Sequence, residues 1–202
     1  MNTYEYVGGN PLSFRDPSGK CIFGLSCGIE VGASAELGAG PVGVSQHVSL
    51  GAGIFPATGL TPKGYISTGR VLDTELGGIQ PSSEALAINS KCGLSWVKQK
   101  PYSSVLKSRG AFVGGATISA GPSAWISNAK QLSDIQDTFD TTTVTTPFFS
   151  VQWARGRNAA GDYIWTAGAS PGPLGFTTPS ASVAVFPTNT ITEDQLKRCY
   201  HK

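Results

Sequence analysis

The sequence predicts a mainly β domain, an antiparallel barrel or sandwich trimmed with two or three short helices. Three observations carry that expectation. Gly (26) and Pro (13) are abundant among the 202 residues, a composition that resists long helices and suits short strands joined by tight turns. Charged residues make up only 14%, against roughly 25% in an average soluble domain. Apolar residues also recur at every second position over several stretches, the period of a strand with two unlike faces.

The first alternation runs from Gly28 to Phe55. Ile29, Val31, Ala33, Ala35 and Leu37 fall on one face, with Glu30, Ser34 and Glu36 on the other. Gly38-Ala39-Gly40-Pro41 interrupts it. Val42, Val44, Gln46, Val48 and Leu50 then resume it against Ser45, His47 and Ser49, which is a hairpin pattern. Tyr65–Leu76 is a third strand, and Ala111–Ile126 reads as two short strands divided at Gly121-Pro122. Phe148–Arg155 and Tyr163–Ala169 flank "GRNAAGD" (156–162), a hairpin loop. Ser180–Phe186 adds another strand. Two helices are expected. Asn128 would cap Ala129–Phe139, where Leu132, Ile135 and Phe139 share a face. Thr190 with Glu193 makes a capping box ahead of Asp194–Tyr200. Ser82–Ile88, after Pro81, is the third candidate helix. About eight strands result, mostly antiparallel.

The net charge is +2, and the 15 basic residues form no run. A phosphate-neutralising surface is therefore not expected, although nucleic acid stays open as a substrate. No stretch of 18 apolar residues occurs, so no transmembrane helix is expected. No basic region precedes an apolar run at the N-terminus, so if the protein leaves its cell, another machine carries it. Cys21, Cys27, Cys92 and Cys199 match no zinc spacing, and neither metal nor cofactor is expected. The four cysteines allow two disulfides in three connectivities, or buried free thiols. A bridge from Cys21 or Cys27 to Cys199 would close nearly the whole chain, in an oxidising compartment.

The opening "NTYEYVGGNPLSFRDPSGK", residues 2–20, has a different texture: aromatic, polar and turn-rich. Tyr4, Tyr6, Val7, Asn10, Pro11, Asp16, Pro17 and Gly19 fit the spacing Tyr-x-Tyr-Val-x-x-Asn-Pro-(four residues)-Asp-Pro-x-Gly. That spacing resembles the end of the Rhs (YD-repeat) core. The resemblance covers residues 2–20 alone. It implies that residues 1–20 are a remnant of a large β-cage and that residues 21–202 are a variable C-terminal toxin domain. Such a domain is secreted or delivered into a target cell in bacterial competition, and a cognate immunity protein neutralises it at home. The upstream cage would be its second partner. The resemblance implies the role and leaves the chemistry open.

Each toxin chemistry makes its own demands on residues. His47 and His201 are the only histidines, too few and too far apart for a His-rich metallonuclease. A zinc deaminase needs Pro-Cys-x-x-Cys, which is absent. Arg70 and Thr141–Thr146 mimic two elements of an ADP-ribosyltransferase, but no Glu/Gln-x-Glu follows. "GLSCG" (24–28) has the Gly-x-Ser-x-Gly form, but a period-two strand follows it where a nucleophile elbow needs a helix. A Cys–His pair, Cys27 or Cys92 with His47, lacks a local signature. A metal-independent ribonuclease or other toxin enzyme would use His47 as proton carrier, with Glu30 and Glu36 facing it across the hairpin. The other reading is a membrane-perturbing β-structured toxin. Gly28–Leu37 and Val42–Phe55 reach the roughly 9–11 residues of a spanning strand, while Glu30 and Glu36 in the first strand speak against it.

Overall fold

The computed structural model describes residues 24–40, 42–72, 82–100, 112–171 and 182–200. The proposed boundary at residues 20 and 21 lies outside these. Ten strands form: β1 (Ser26–Gly40), β2 (Val42–Ile54), β3 (Lys63–Leu72), β4 (Ser82–Ile88), β5 (Leu94–Lys98), β6 (Phe112–Ser127), β7 (Asp137–Thr145), β8 (Phe149–Arg157), β9 (Tyr163–Pro171) and β10 (Ser182–Thr192). One helix, α1, spans Glu193–Tyr200, and a 3-10 turn spans Leu132–Ile135. Eight strands close into an antiparallel barrel in the order β1-β2-β3-β10-β7-β8-β9-β6 and back to β1. The closing seam pairs Asn189–Thr192 of β10 with Tyr65–Thr68 of β3. The fold is therefore a barrel and not a sandwich.

Alternation decides which way each side chain points. On β1 the cross-strand row Val151–Ala169–Ala124–Ile29–Ala52 runs outward over β8, β9, β6, β1 and β2. The next row, Gln152–Gly168–Trp125–Gly28–Gly53, runs inward. That inward row explains several glycines. A Cβ on Gly28 or Gly53 would lie 2.5 Å from the Trp125 ring, and one on Gly51 would lie 2.2 Å from Tyr65. One end of the barrel is thus plugged by Trp125, Tyr65 and Phe55 with Leu132, Ile135, Phe139 and Ile164.

The hairpin β4–β5 lies outside the ring. It pairs with Arg70–Leu72 of β3 and covers the outside of β3 and β10. The Leu86 amide donates to Thr68 Oγ1 (2.9 Å) and Asn189 donates to the Leu86 carbonyl (2.7 Å). Arg70 pairs with Glu84 and stacks 4.0 Å over the Trp96 ring. A disulfide joins Cys92, in the β4–β5 turn, to Cys199 of α1 across 107 residues. Closing such a loop is worth about 4–5 kcal/mol in the chain-entropy model. Lys63 ties the helix start through Glu193 at 3.2 Å.

Several elements differ from the sequence expectation. Cys199 pairs with Cys92 and not with Cys21 or Cys27, because α1 packs beside the β4–β5 turn. Cys27 is disulfide-bonded as well, so free thiols are excluded for these three. Ala129–Phe139 is not a helix: the chain makes a single 3-10 turn and enters β7. Ser82–Ile88 is strand β4, because its β-bonded partners lie on β3 and β5. Ala111–Ile126 is one strand, with Pro122 tolerated inside it. The capping box sits two residues later than Thr190: Thr192 N–H donates to Gln195 Oε1 at 2.9 Å, and Gln195 N–H to Thr192 Oγ1 at 3.4 Å.

The glycine-lined seat of Trp125 gives a direct test. Gly53→Val should lower the free energy of unfolding by about 2 kcal/mol or more, read as a fall in the denaturant midpoint. Gly64→Ala, whose Cβ would meet nothing closer than 3.7 Å, should change it little. Equal effects would contradict the packing described here.

Candidate functional site

The barrel interior is polar. On β1 the inward positions carry Glu30, Ser34 and Glu36, and on β2 they carry Ser45, His47 and Ser49. Each is there because the apolar residues of the alternation occupy the outward phase. Glu30 is 6% exposed and accepts hydrogen bonds from four strands. The donors are Ser49 (3.2 Å) on β2, Tyr65 (3.0 Å) on β3, Ser123 (3.1 Å) on β6 and Gln152 (3.0 Å) on β8. Burial and the Glu30 carboxylate both push the Tyr65 phenol far above its usual range, so Tyr65 is a donor and stays one.

His47 lines the same two interior cavities as Glu30. Burial pulls its pKa below the usual imidazole value, against the opposing pull of the Glu30 carboxylate. Burial therefore favours the neutral imidazole. The structure brings Glu30 and His47 together and leaves Glu36 apart. Glu36 sits six residues further along β1, 3% exposed, in a separate cluster. There Thr117 Oγ1 donates to Ser182 Oγ (2.7 Å) and Ser182 Oγ donates to Glu36 Oε2 (3.0 Å). Glu36 Oε1 and the Ser45 hydroxyl, on facing positions of β1 and β2, have no hydrogen-bond partner among the described residues. Burial raises the Glu36 pKa, and the Ser182 bond only partly opposes it.

The interior has little free space. The cavities beside Glu30 and His47 measure about 60 and 50 Å³, room for a few waters each and far below the several hundred Å³ of a small-molecule site. The larger of the two reaches the surface between β6 and β9. Their pairing stops at Ala124 and Ala169, and Ser119, Gly121 and Ser170 border the slot.

Other sequence candidates resolve into structural roles. Ser26 of "GLSCG" is buried and donates to the Ala129 carbonyl. The bonded state of Cys27 and Cys92 removes the Cys–His pairs. Arg70 belongs to the Glu84–Trp96 stack, and Thr141–Thr145 belongs to the barrel wall as β7. Among the described residues no group of three or more His, Cys, Asp or Glu could hold a metal.

The feature that sequence reasoning left unresolved is on the outside. Across β2, β1, β6 and β9 the only acidic or basic side chains are Glu30, Glu36 and His47, and all three point inward. What faces out is Ile29 (70% exposed), Val31 (63%), Leu37 (62%), Leu50 (61%) and Ile118 (62%), with alanines between them. On the adjacent β8, Val151 and Trp153 continue the surface. A shallow hollow of about 810 Å³ crosses it, floored by Ala52, Ala124, Ala167 and Ala169 between Ile54 and Ile126. Four adjacent strands and the first half of β8, as far as Trp153, thus expose one charge-free apolar wall, far more than scattered surface hydrophobics. The period-two signal held this information, but alternation alone does not say which face is wet. No family model, no curated protein and no solved structure matches the chain.

The buried carboxyl of Glu36, whose pKa desolvation raises, sets a pH test. A folded-state pKa above the unfolded value means that stability is fullest below the ordinary carboxyl range and falls as pH rises through the folded pKa. Glu36→Gln, which removes the charge at constant shape, should be more stable than wild type at pH 8, with the difference vanishing near pH 4. Thermal unfolding at both pH values reads this, and a variant less stable at pH 8 would contradict it. His47 acts with the opposite sign. Its lowered pKa makes the native fold lose stability as pH falls below about 6.5, a loss that Glu36→Gln leaves in place.

Proposed function

We propose that this chain is the C-terminal toxin domain of an Rhs-type polymorphic toxin and that it acts by perturbing membranes. The observation that supports the membrane part is the charge-free apolar wall outside a polar-filled barrel, the arrangement expected where lipid and not water meets the strands. Ile29 to Leu37 covers eight residue steps, about 26 Å along the strand, or roughly 20 Å of depth at a typical barrel tilt of about 40°. That depth exceeds one hydrocarbon leaflet, about 15 Å. Aromatic side chains mark both ends of the wall: Tyr163 and Trp165 at one, Phe148 (83% exposed) and Phe149 at the other. The opposite side, β4–β5 with α1, carries charged side chains (Arg70–Glu84, Lys63–Glu193, Lys197) among its exposed Leu94, Val97 and Tyr200, and stays in water. The domain therefore meets a bilayer wall-on.

The toxin part is supported by the residue 2–20 pattern, which also brings delivery into a target cell, an upstream cage and an immunity protein as partners. No helix among the described residues is long and apolar enough to cross a membrane, and the wall asks for none.

The second reading, a metal-independent ribonuclease or other toxin enzyme, draws on the Glu30–His47 pair beside the slot. Glu30 is already saturated by four donors, and the cavities admit water and little else, so the membrane reading stands ahead of it.

The test is expression of the chain in bacteria with and without a periplasmic export signal. Exported protein should depolarise and kill its host. Val31→Glu/Leu50→Glu should abolish killing, and His47→Ala should leave it within about twofold. Cytoplasmic killing that needs His47 and ignores the wall variant would replace this reading with the enzyme.

A further inference from the structure

We propose that the β8–β9 end of the apolar wall is a binding site for an anionic phospholipid of the bilayer. The headgroup phosphate lies against Arg155 and Arg157, and an acyl chain lies in the adjoining hollow. This rests on the membrane reading and adds the class of lipid and the orientation of the barrel.

Three observations meet at this end. Trp153 and Trp165, on β8 and β9, stack in parallel with ring centroids 5.5 Å apart at 1°, and Trp153 is 45% exposed. A half-exposed pair of stacked indoles keeps apolar surface in contact with water, whereas the interface between headgroups and acyl chains is where Trp and Tyr concentrate. Arg155 and Arg157 are exposed at the next two outward positions of β8, about 7 Å apart. They lie cross-strand from Trp165 and Tyr163 and are the first charges met on leaving the wall. Arg157 uses one guanidinium nitrogen on the Gly161 carbonyl, which steadies the fork and leaves further donors for a phosphate. The hollow floored by Ala167 and Ala169 begins one position inward, beside Trp153.

Two of the three acidic groups nearby already accept from other donors. Asp134 is buried and accepts from the Lys130 and Gln131 amides and from Asn158. Asp140, cross-strand from Arg155, is buried. Asp162 is exposed and accepts from Asn158. The exposed Lys130 adds a third cation at the same end. Trp and Arg together also suit a single-stranded nucleic acid, but a charge-free apolar wall directly below the pair gives a polyanion nothing to follow.

The experiment is flotation of the full chain with vesicles of phosphatidylcholine alone and with 30% phosphatidylglycerol, the chosen probe, at about 0.1 M salt. Wild type should partition more strongly onto the anionic vesicles. Arg155→Gln/Arg157→Gln should lose about thirtyfold there while still binding phosphatidylcholine, and Arg155→Lys/Arg157→Lys should restore most of the preference. Inorganic phosphate at 10 mM should not compete. Equal binding of wild type to both vesicles, or an unchanged Gln variant, overturns the headgroup site. So does competition by free phosphate, or wild type that ignores vesicles and retains a single-stranded oligonucleotide. If Val31→Glu/Leu50→Glu binds both vesicles as wild type does, the wall reading itself fails, an outcome separate from the others.

Discussion

Glu30 accepts hydrogen bonds from β2, β3, β6 and β8 at once, inside the barrel and away from water. A buried carboxylate is tolerated only when donors satisfy it, and these four donors exist only where the strands curl around it. Because side chains alternate with a period of two, holding Glu30 inward fixes the phase of β1 along its whole length. Ile29, Val31, Ala33, Ala35 and Leu37 are then forced out. β2 and β6, paired to β1 over nearly all their residues, inherit the same phase. The polar interior and the apolar exterior are thus one constraint seen from two sides.

The barrel's two ends are finished differently. Near Trp125 the chain spends glycines to seat large rings, and the result is a dry plug. Toward Glu36 the filling is hydroxyls and one carboxyl with an unpartnered oxygen. That end holds its carboxyl most comfortably when protonated, and His47, midway along the barrel between the two ends, is held most comfortably when neutral. Both groups are therefore disposed to shed charge inside the barrel, as a low-dielectric surround demands. A wall facing lipid instead of water would deepen that tendency.

Strands β1, β2, β3, β8, β9 and β10 were legible because alternation is a local property. β7 was not, since "DTFDTTTVT" shows no apolar period: threonine serves both faces of a polar-filled barrel. Leu132, Ile135 and Phe139 have helical spacing, but a 3-10 turn and a strand deliver all three to the same plug, so the spacing reported a shared destination and not a helix. β4 and β5 are too short to declare themselves without β3 to pair with. Of the candidate site, the hairpin pattern put Glu30, Glu36 and His47 on one inward face, but register alone did not choose between the carboxylates: His47 pairs with Ser34, two residues from Glu36 and four from Glu30, and it is the interior cavities that join it to Glu30. The direction of the apolar face depends on curvature, which arises only when β10 closes on β3, and no local pattern carries it.

The same alternation offers the most direct test of the account. The described cysteines are all disulfide-bonded, so a single introduced cysteine can carry an environment-sensitive fluorophore at each position from 31 to 35 on β1. With anionic vesicles added, the account predicts a blue shift at Val31, Ala33 and Ala35 and none at Gly32 and Ser34. A response without that two-residue period, or no response at the three outward positions, would contradict a barrel that presents its β1 face to lipid.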